Sequence, residues 1–139
     1  MIFDEGSFRD PAGRVFYHLD KIYRLIDDSG KERVKFLEQN DLITKSKEKN
    51  FLINSKILDD KDLKNLGFDK NYLVIEHEKI PYISYPYEWS FSQLKSAALL
   101  HLDFHLFLLN NDATLIDASA YNIQFIGAKP IFIDILSIK

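Results

Sequence analysis

The strongest constraint on the fold is a long helical pattern that begins at Ser90. From there to Leu109 the chain contains no glycine, no proline and no β-branched residue, so nothing interrupts a helix. Ser90 and Gln93 have the spacing of a capping box, in which side chain and backbone satisfy each other's amide groups. Apolar residues occupy most sides of the helical projection, a pattern that predicts a long buried helix.

Charge is concentrated before this helix. The chain has 139 residues and a net charge of −3, and 28% of its residues are charged. Only seven charged residues lie within 90–139. Because charged side chains are seldom buried without partners, this segment is predicted to be mostly buried, and its carboxylates are candidates for chemistry. We therefore expect one structural domain with a small-lobe-like α+β region over 1–89, followed by the buried helix and a hairpin over 90–139.

Several classes of protein are excluded by composition. The absence of cysteine excludes a disulfide framework and a thiolate zinc site. The acidic start lacks the basic and apolar regions of a signal peptide, and no apolar run approaches the length of a membrane span. The negative net charge gives no general affinity for nucleic acid or for an anionic membrane. These features predict a cytoplasmic protein with no specific nucleic-acid partner and no membrane partner.

Local patterns predict the remaining elements. We expect a turn at 10–13, an antiparallel hairpin of strands 14–18 and 21–26, and a helix over 31–40 with Val34 and Leu37 on its inner face. The lysine-rich segment 44–50 is predicted to be a solvated loop, and residues 51–53 to begin another strand. A short helix over 60–66 closed by Gly67, a strand at 72–77, and a second hairpin of strands 123–126 and 130–133 complete the prediction.

Three polar residues surround the second hairpin. Asp117 and Asn122 form an Asp-x4-Asn motif after the long helix, and Asp134 lies twelve residues beyond Asn122. This order and spacing resembles the catalytic loop of protein-kinase-like folds. The resemblance implies that Asp117 is a catalytic carboxylate and that Asn122 and Asp134 bind Mg²⁺ beside ATP. A hairpin of this length returns to its start, so Asn122 and Asp134 could share one cation.

The same resemblance extends to the first half of the chain. Arg24 stands where the small lobe of such folds has its phosphate-binding lysine, and Glu38 on the first helix could be its ion-pair partner. The alternative is that Arg24 and Glu38 are only a surface pair.

The chain also departs from the kinase pattern. Leu-Ile stands before Asp117 where the kinase motif has His-Arg, and Ile-Leu follows Asp134 where Phe-Gly is expected. Neither a glycine-rich nucleotide loop nor a helical C-terminal lobe is present. The fold expected is therefore α+β and only partly kinase-like, with an antiparallel sheet and flanking helix, then a long buried helix and a catalytic-loop-like hairpin. A working kinase on this chain alone is not expected.

A second resemblance covers nearly the whole chain. The segments FRDPAGRVF (8–16), IPYISYPYEWSFSQLK (80–95), DASAYNIQF (117–125) and PIFID (130–134) are similar to the N-terminal region of bacterial proteins identified as class I S-adenosylmethionine-dependent methyltransferases. In that family a methyltransferase domain with a glycine-rich cofactor loop follows. This chain contains no Gly-x-Gly. The resemblance implies that S-adenosylmethionine would bind only through a domain not present here.

These resemblances leave three classes of function open. The first is the kinase-like region of a methyltransferase that binds nucleotide or substrate. The second is a truncated or degenerate ATP- and Mg²⁺-dependent phosphotransferase, and the third is a non-catalytic dimerisation or docking module. The apolar segment 131–138 predicts that a downstream methyltransferase domain or a second subunit covers the C-terminus, so a homo-oligomer is a further expectation.

The polar candidates also have structural interpretations. Asp117 and Asn122 can cap a turn, and Asp134 can accept backbone amides. His101 and His105 lie four residues apart, as in a metal-binding helix, but packed core histidines are favoured because no third ligand is evident.

An aromatic-rich connection precedes the long helix. Its four rings either form a stacking platform for adenine or another ring, or pack as the edge of a connection between elements, which is the favoured interpretation. They are Tyr82, Tyr85, Tyr87 and Trp89.

Overall fold

The computed structural model describes residues 2–3 and 13–139 and has an α+β fold. Five antiparallel strands form one sheet in the order β1-β2-β3-β5-β4, and β6 and β7 form a separate hairpin. The strands are β1 (Ile2–Phe3), β2 (Gly13–His18), β3 (Lys21–Ile26), β4 (Ser55–Ile57), β5 (Leu73–His77), β6 (Ile123–Ile126) and β7 (Lys129–Phe132). The helices are α1 (Asp28–Gln39), α2 (Leu42–Glu48), α3 (Asp60–Asn65) and α4 (Phe91–Leu109). The turn predicted at 10–13 lies largely outside the described residues.

The chain divides into two compact units. One contains Met1–Lys35 and Asn54–Lys79, and the other contains Phe36–Ile53 and Ile80–Lys139. Helix α1 begins in the first unit and ends in the second. Val34 and Leu37, predicted to lie on its inner face, are both buried.

The first unit is built on the predicted hairpin. β2 and β3 pair with Phe16 opposite Tyr23, and the turn between them places Leu19 at φ 54°. The Phe16 and Tyr23 rings stack with centroids 5.2 Å apart, and they share a core with Val74 of β5 and Leu63 of α3. The hairpin, the strand near 72–77 and the short helix ending before Gly67 are thus confirmed.

The predicted loop at 44–50 is wrong, because α2 occupies most of it. Leu42, Ile43 and Ser46 are buried on one side of this helix, while Lys45 and Glu48 face solvent. The lysine-rich composition described only the outer face. Residues 51–53 form no extended strand; Leu52 makes a single parallel bridge to Phe132, and β4 starts at Ser55.

Helix α4 starts with the predicted capping box, since Gln93 N–H donates to Ser90 Oγ and Ser90 N–H donates to Gln93 Oε1. The prediction of a helix buried on most sides is wrong. One face is buried, and the opposite face exposes four leucines. The buried residues are Ala97, Leu100, Phe104 and Leu108, and the exposed ones are Leu99, Leu102, Leu106 and Leu109. A low charge content shows that a face can be buried, but not that something covers it.

The apolar C-terminal segment is covered by its own unit. Phe132, Ile135 and Ile138 are buried, and Thr114 and Lys139 exchange two backbone hydrogen bonds of 2.8 and 2.9 Å. The expectation that another domain or subunit must cover residues 131–138 is therefore wrong. Among the described helices, none has the length and hydropathy needed to cross a membrane.

Candidate functional site

The second hairpin brings Asn122 and Asp134 together, as the spacing predicted. Asn122 ends a 3₁₀ turn (Ala120–Asn122) just before β6, and Asp134 follows β7. Because β6 and β7 pair antiparallel, with Ile123 opposite Phe132, the two side chains return to the same end. The Asn122 Nδ2 donates a hydrogen bond of 3.3 Å to the Asp134 Oδ2, and Ile133 N–H donates to the Asn122 carbonyl at 2.8 Å.

The half-buried Asp134 carboxylate caps the final turn of the chain. Its Oδ1 accepts from Leu136 N–H at 3.2 Å, and its Oδ2 accepts from the Ser137 hydroxyl at 2.6 Å. A charge-assisted bond from a hydroxyl is short in this way, and the carboxylate therefore holds the turn Ile135–Ser137 in place.

Asn122 caps its own turn through the opposite end of its amide. Its Oδ1 accepts from Ser119 N–H at 2.8 Å, so Nδ2 is the atom that faces Asp134. Ser119 Oγ in turn accepts from Tyr121 N–H at 3.3 Å. The bonds that the turn-capping interpretation requires are thus all present at Asn122 and Asp134.

The side-chain oxygens of Asn122 and Asp134 are of the kind that bind a hard cation. Mg²⁺ prefers carboxylate and amide oxygens, and Asp134 and Asn122 offer both types. The amide orientation differs from what a cation needs, because Nδ2 rather than Oδ1 lies beside the carboxylate. Binding would require rotation of the Asn122 amide and loss of its bond from Ser119. Within the described residues there is no group of three or more histidine, aspartate or glutamate side chains placed to hold a metal.

Asp117 lies in a loop tied to the same final turn. Ile116 N–H donates to the Ser137 carbonyl at 2.7 Å, and Ser137 also donates its hydroxyl to Asp134. Asp117 itself is exposed and has φ 51°, a left-handed backbone conformation that aspartate tolerates better than most residues. Its carboxylate accepts no hydrogen bond from the described part of the chain, so it faces solvent.

Arg24 and Glu38 belong to different units. Arg24 is buried on β3, opposite Ile75 of β5, and Glu38 is exposed near the end of α1. Because Arg24 is 8% exposed, the alternative in which both residues lie on the surface is wrong. The proposed roles of Arg24 and Glu38 stay predictions.

The aromatic connection divides into an exposed and a packed part. The Tyr85 and Tyr87 rings stack with centroids 5.5 Å apart, and both are exposed, as is Tyr82. Partial desolvation, followed by the effect of the Glu88 carboxylate, raises the pKa of Tyr87. Only Trp89 fits the packed interpretation, with its ring edge-on to Phe125 at 5.1 Å.

A buried polar network that the sequence did not reveal supports this connection. Gln124 of β6 bonds twice to the backbone of Ser84, and Trp89 Nε1 donates to Ser84 Oγ at 3.0 Å. The sequence does show a glutamine between apolar neighbours in a predicted strand, which is a sign of a buried polar contact. It does not show the partner, Ser84, which lies forty residues away.

The two α4 histidines are half-buried. Their ring centroids lie 6.4 Å apart, and His105 Nε2 lies 2.8 Å from Thr114 Oγ1. This bond gives His105 a structural partner. His101 instead lies beside an apolar hollow of about 380 Å³ between α4 and residues 120–123, where its neighbours include Leu94, Ala98 and Leu102.

Comparison with curated proteins finds a relative that matches nearly the whole chain. The chain is 40% identical over 134 residues to nodulation protein NoeA of Rhizobium meliloti (strain 1021). The match covers 96% of this chain but only 28% of NoeA, so the chain spans less than a third of that relative's length. No family model matches the chain.

Proposed function

We propose that this chain is the kinase-like region of a larger methyltransferase assembly and that it binds a Mg²⁺–nucleotide through Asn122 and Asp134. The meeting of these side chains, 3.3 Å apart at the end of the β6–β7 hairpin, is the observation that carries the proposal. The methyltransferase part of the proposal depends on the family resemblance of the sequence, and the larger assembly is supported by the partial coverage of NoeA.

The residues near the hairpin have distinct roles in this proposal. Asp134 supplies a charged oxygen ligand, and Asn122 supplies an amide oxygen after its side chain rotates. In this proposal Asp117, which is exposed on a loop tied to Ser137, is the carboxylate that accepts the proton of the hydroxyl group to be phosphorylated. Arg24 remains the candidate phosphate ligand and Glu38 its candidate ion-pair partner.

Thermal unfolding with Mg²⁺ alone, ATP alone, and both together tests the proposal. Each ligand completes the coordination shell of the other, so the combination should raise the melting temperature more than the sum of the separate effects. Asp134→Asn keeps the size of the side chain but removes the charge that the cation requires, so the synergy should disappear.

Ser137→Ala is the matched control, because it removes one hydrogen bond to Asp134 and leaves the carboxylate in place. This variant should melt at a lower temperature but retain the response to Mg²⁺ and ATP together. If the wild-type protein shows no synergy between Mg²⁺ and ATP, the nucleotide site does not exist.

A further inference from the structure

One face of α4 exposes four leucines to solvent. We define the α4 outer face by Leu99, Leu102, Leu106 and Leu109, which are 50%, 59%, 59% and 52% exposed. Residues three and four apart are neighbours on a helix, so the four leucines form one continuous stripe. Burying this stripe would stabilise a complex. Single exposed leucines, by contrast, are common on protein surfaces.

The hollow beside α4 extends this surface. It has a volume of about 380 Å³, and Leu102 both lines it and belongs to the α4 outer face. Leu94, Ala98 and Ile123 continue the apolar lining, and His101 is the polar side chain there. A stripe of half-exposed leucines next to a hollow that can receive apolar side chains is suited to an apolar partner surface.

A second copy of the chain, paired antiparallel along the stripe, fits this surface poorly. In a two-fold contact, each residue of one copy meets the same surface of the other. The stripe runs from Leu99 to Leu109, so antiparallel pairing about its middle places the two Asp103 residues along the same edge of the contact. Asp103 is exposed and neighbours Leu99 and Leu106, so the like charges would oppose association.

The part of NoeA that this chain does not match is a better candidate for the partner of the α4 outer face. The match to NoeA extends over 96% of this chain and includes α4, yet almost three quarters of NoeA lies outside the match. We propose that the α4 outer face and the adjoining hollow are the docking surface for the polypeptide that corresponds to this remaining part of NoeA. This inference rests on the proposed function in one respect only, since both take the chain to be one region of a larger assembly.

The test measures binding between the 139-residue chain and the remaining part of NoeA, produced as a separate polypeptide. We expect a one-to-one complex in sedimentation equilibrium. Changing both Leu102→Glu and Leu106→Glu buries two charges in the contact, so the dissociation constant should rise by a factor of about 100 or more. Leu19→Glu is the matched control, because Leu19 is 88% exposed in the β2–β3 turn of the first unit, and it should leave binding unchanged.

Exposed leucines can be replaced without loss of folding, so the double variant should melt no lower than the wild type when alone. Leu106→Ser is a milder change, and it should also raise the dissociation constant.

Three results would overturn the docking proposal. They are the absence of a complex, a complex that the leucine substitutions do not weaken, and a dimer of the chain alone that these substitutions dissociate, which would make a second copy the occupant. The response to Mg²⁺ and ATP at Asp134 is measured separately on the same variants. Failure of the nucleotide site can therefore be distinguished from failure of the docking surface.

Discussion

Gln124 and Ser84 pair through two hydrogen bonds although forty residues separate them. Ser84 N–H donates to Gln124 Oε1 at 3.0 Å, and Gln124 Nε2 donates to the Ser84 carbonyl at 2.9 Å. Both residues are buried, so the glutamine amide replaces the hydrogen bonds that a strand partner would make. This pair joins β6 to the aromatic connection that leads into α4.

Removing the Gln124 amide should destabilise the protein strongly. Gln124→Leu leaves the Ser84 N–H and carbonyl without these partners, at a cost of about 1–3 kcal/mol for each group that stays dry. Trp89 is the one tryptophan in the chain and donates to Ser84 Oγ, so its fluorescence should shift to longer wavelength in the variant. Urea denaturation and the emission spectrum measure the two effects.

The matched control is Gln39→Leu at the exposed end of α1, which should change neither the free energy of unfolding nor the Trp89 emission by much. Equal stability of Gln124→Leu and Gln39→Leu would show that water replaces the Gln124 bonds.

Asp134→Asn should destabilise the protein in the absence of ligand. The carboxylate accepts bonds from the Leu136 amide and the Ser137 hydroxyl, and an asparagine would turn an amide donor toward one of these donors. We expect a loss of about 1–3 kcal/mol in the free energy of unfolding. Ser137→Ala, which removes one donor but keeps the acceptor, should lose less in the same urea titration. The opposite ranking would contradict the capping role of Asp134.

The chain should not bind S-adenosylmethionine by itself. Its glycines include no Gly-x-Gly arrangement, which leaves it without the turn that accepts such a cofactor at the start of a helix. Isothermal titration calorimetry should give no saturable heat, whereas micromolar binding would show that another surface holds the cofactor.

Local patterns predicted much of the fold because the contacts involved are local. The β2–β3 hairpin needs only alternating apolar residues and a two-residue turn, and the Ser90–Gln93 capping box spans four residues. Asn122 and Asp134 were predicted to meet because a short hairpin returns to its start.

The wrong predictions concern features of the fold that are determined by contacts between distant parts of the chain. Buried Leu42 and Ile43 make α2 a helix, although the lysines around them favoured a loop. The sequence also showed that α4 is apolar without showing which side the second unit covers. The Gln124–Ser84 pair depends on two segments far apart in the chain, and no local pattern specifies it.

The capping box of α4 should be worth about 1 kcal/mol. Ser90→Ala removes the oxygen that accepts from Gln93 N–H and leaves one amide of the first turn without its cap. Ser92→Ala changes the same residue type two positions later, at an exposed site inside the helix, and should be neutral or slightly stabilising because alanine is the better helix former. Chemical denaturation of both variants gives the comparison, and equal losses would mean that the cap contributes nothing.

Asp27 should make the stability of the first unit depend on pH in the acid range. Its Oδ1 accepts from the Ser29 hydroxyl at 2.6 Å, from Ser29 N–H at 2.9 Å and from Gly30 N–H at 3.1 Å. The Ser29 hydroxyl, with smaller effects from the two backbone amides, lowers the pKa of Asp27 below its usual value. The folded protein therefore holds the Asp27 proton less tightly than the unfolded chain does. The resulting stabilisation is present above the unfolded pKa of about 3.9 and is lost as the pH falls through the lower folded pKa.

Asp27→Asn isolates this effect, because asparagine keeps an oxygen for the cap but does not titrate. The wild type should be more stable than the variant at neutral pH, and the difference in unfolding free energy should shrink between about pH 5 and pH 2. Asp20→Asn, at an exposed position in the β2–β3 turn, is the control for the general effect of removing one carboxylate from the same unit. Urea titrations at several pH values measure all three proteins. If the difference between wild type and Asp27→Asn stays constant over this range, the ionised Asp27 carboxylate is not what stabilises the start of α1.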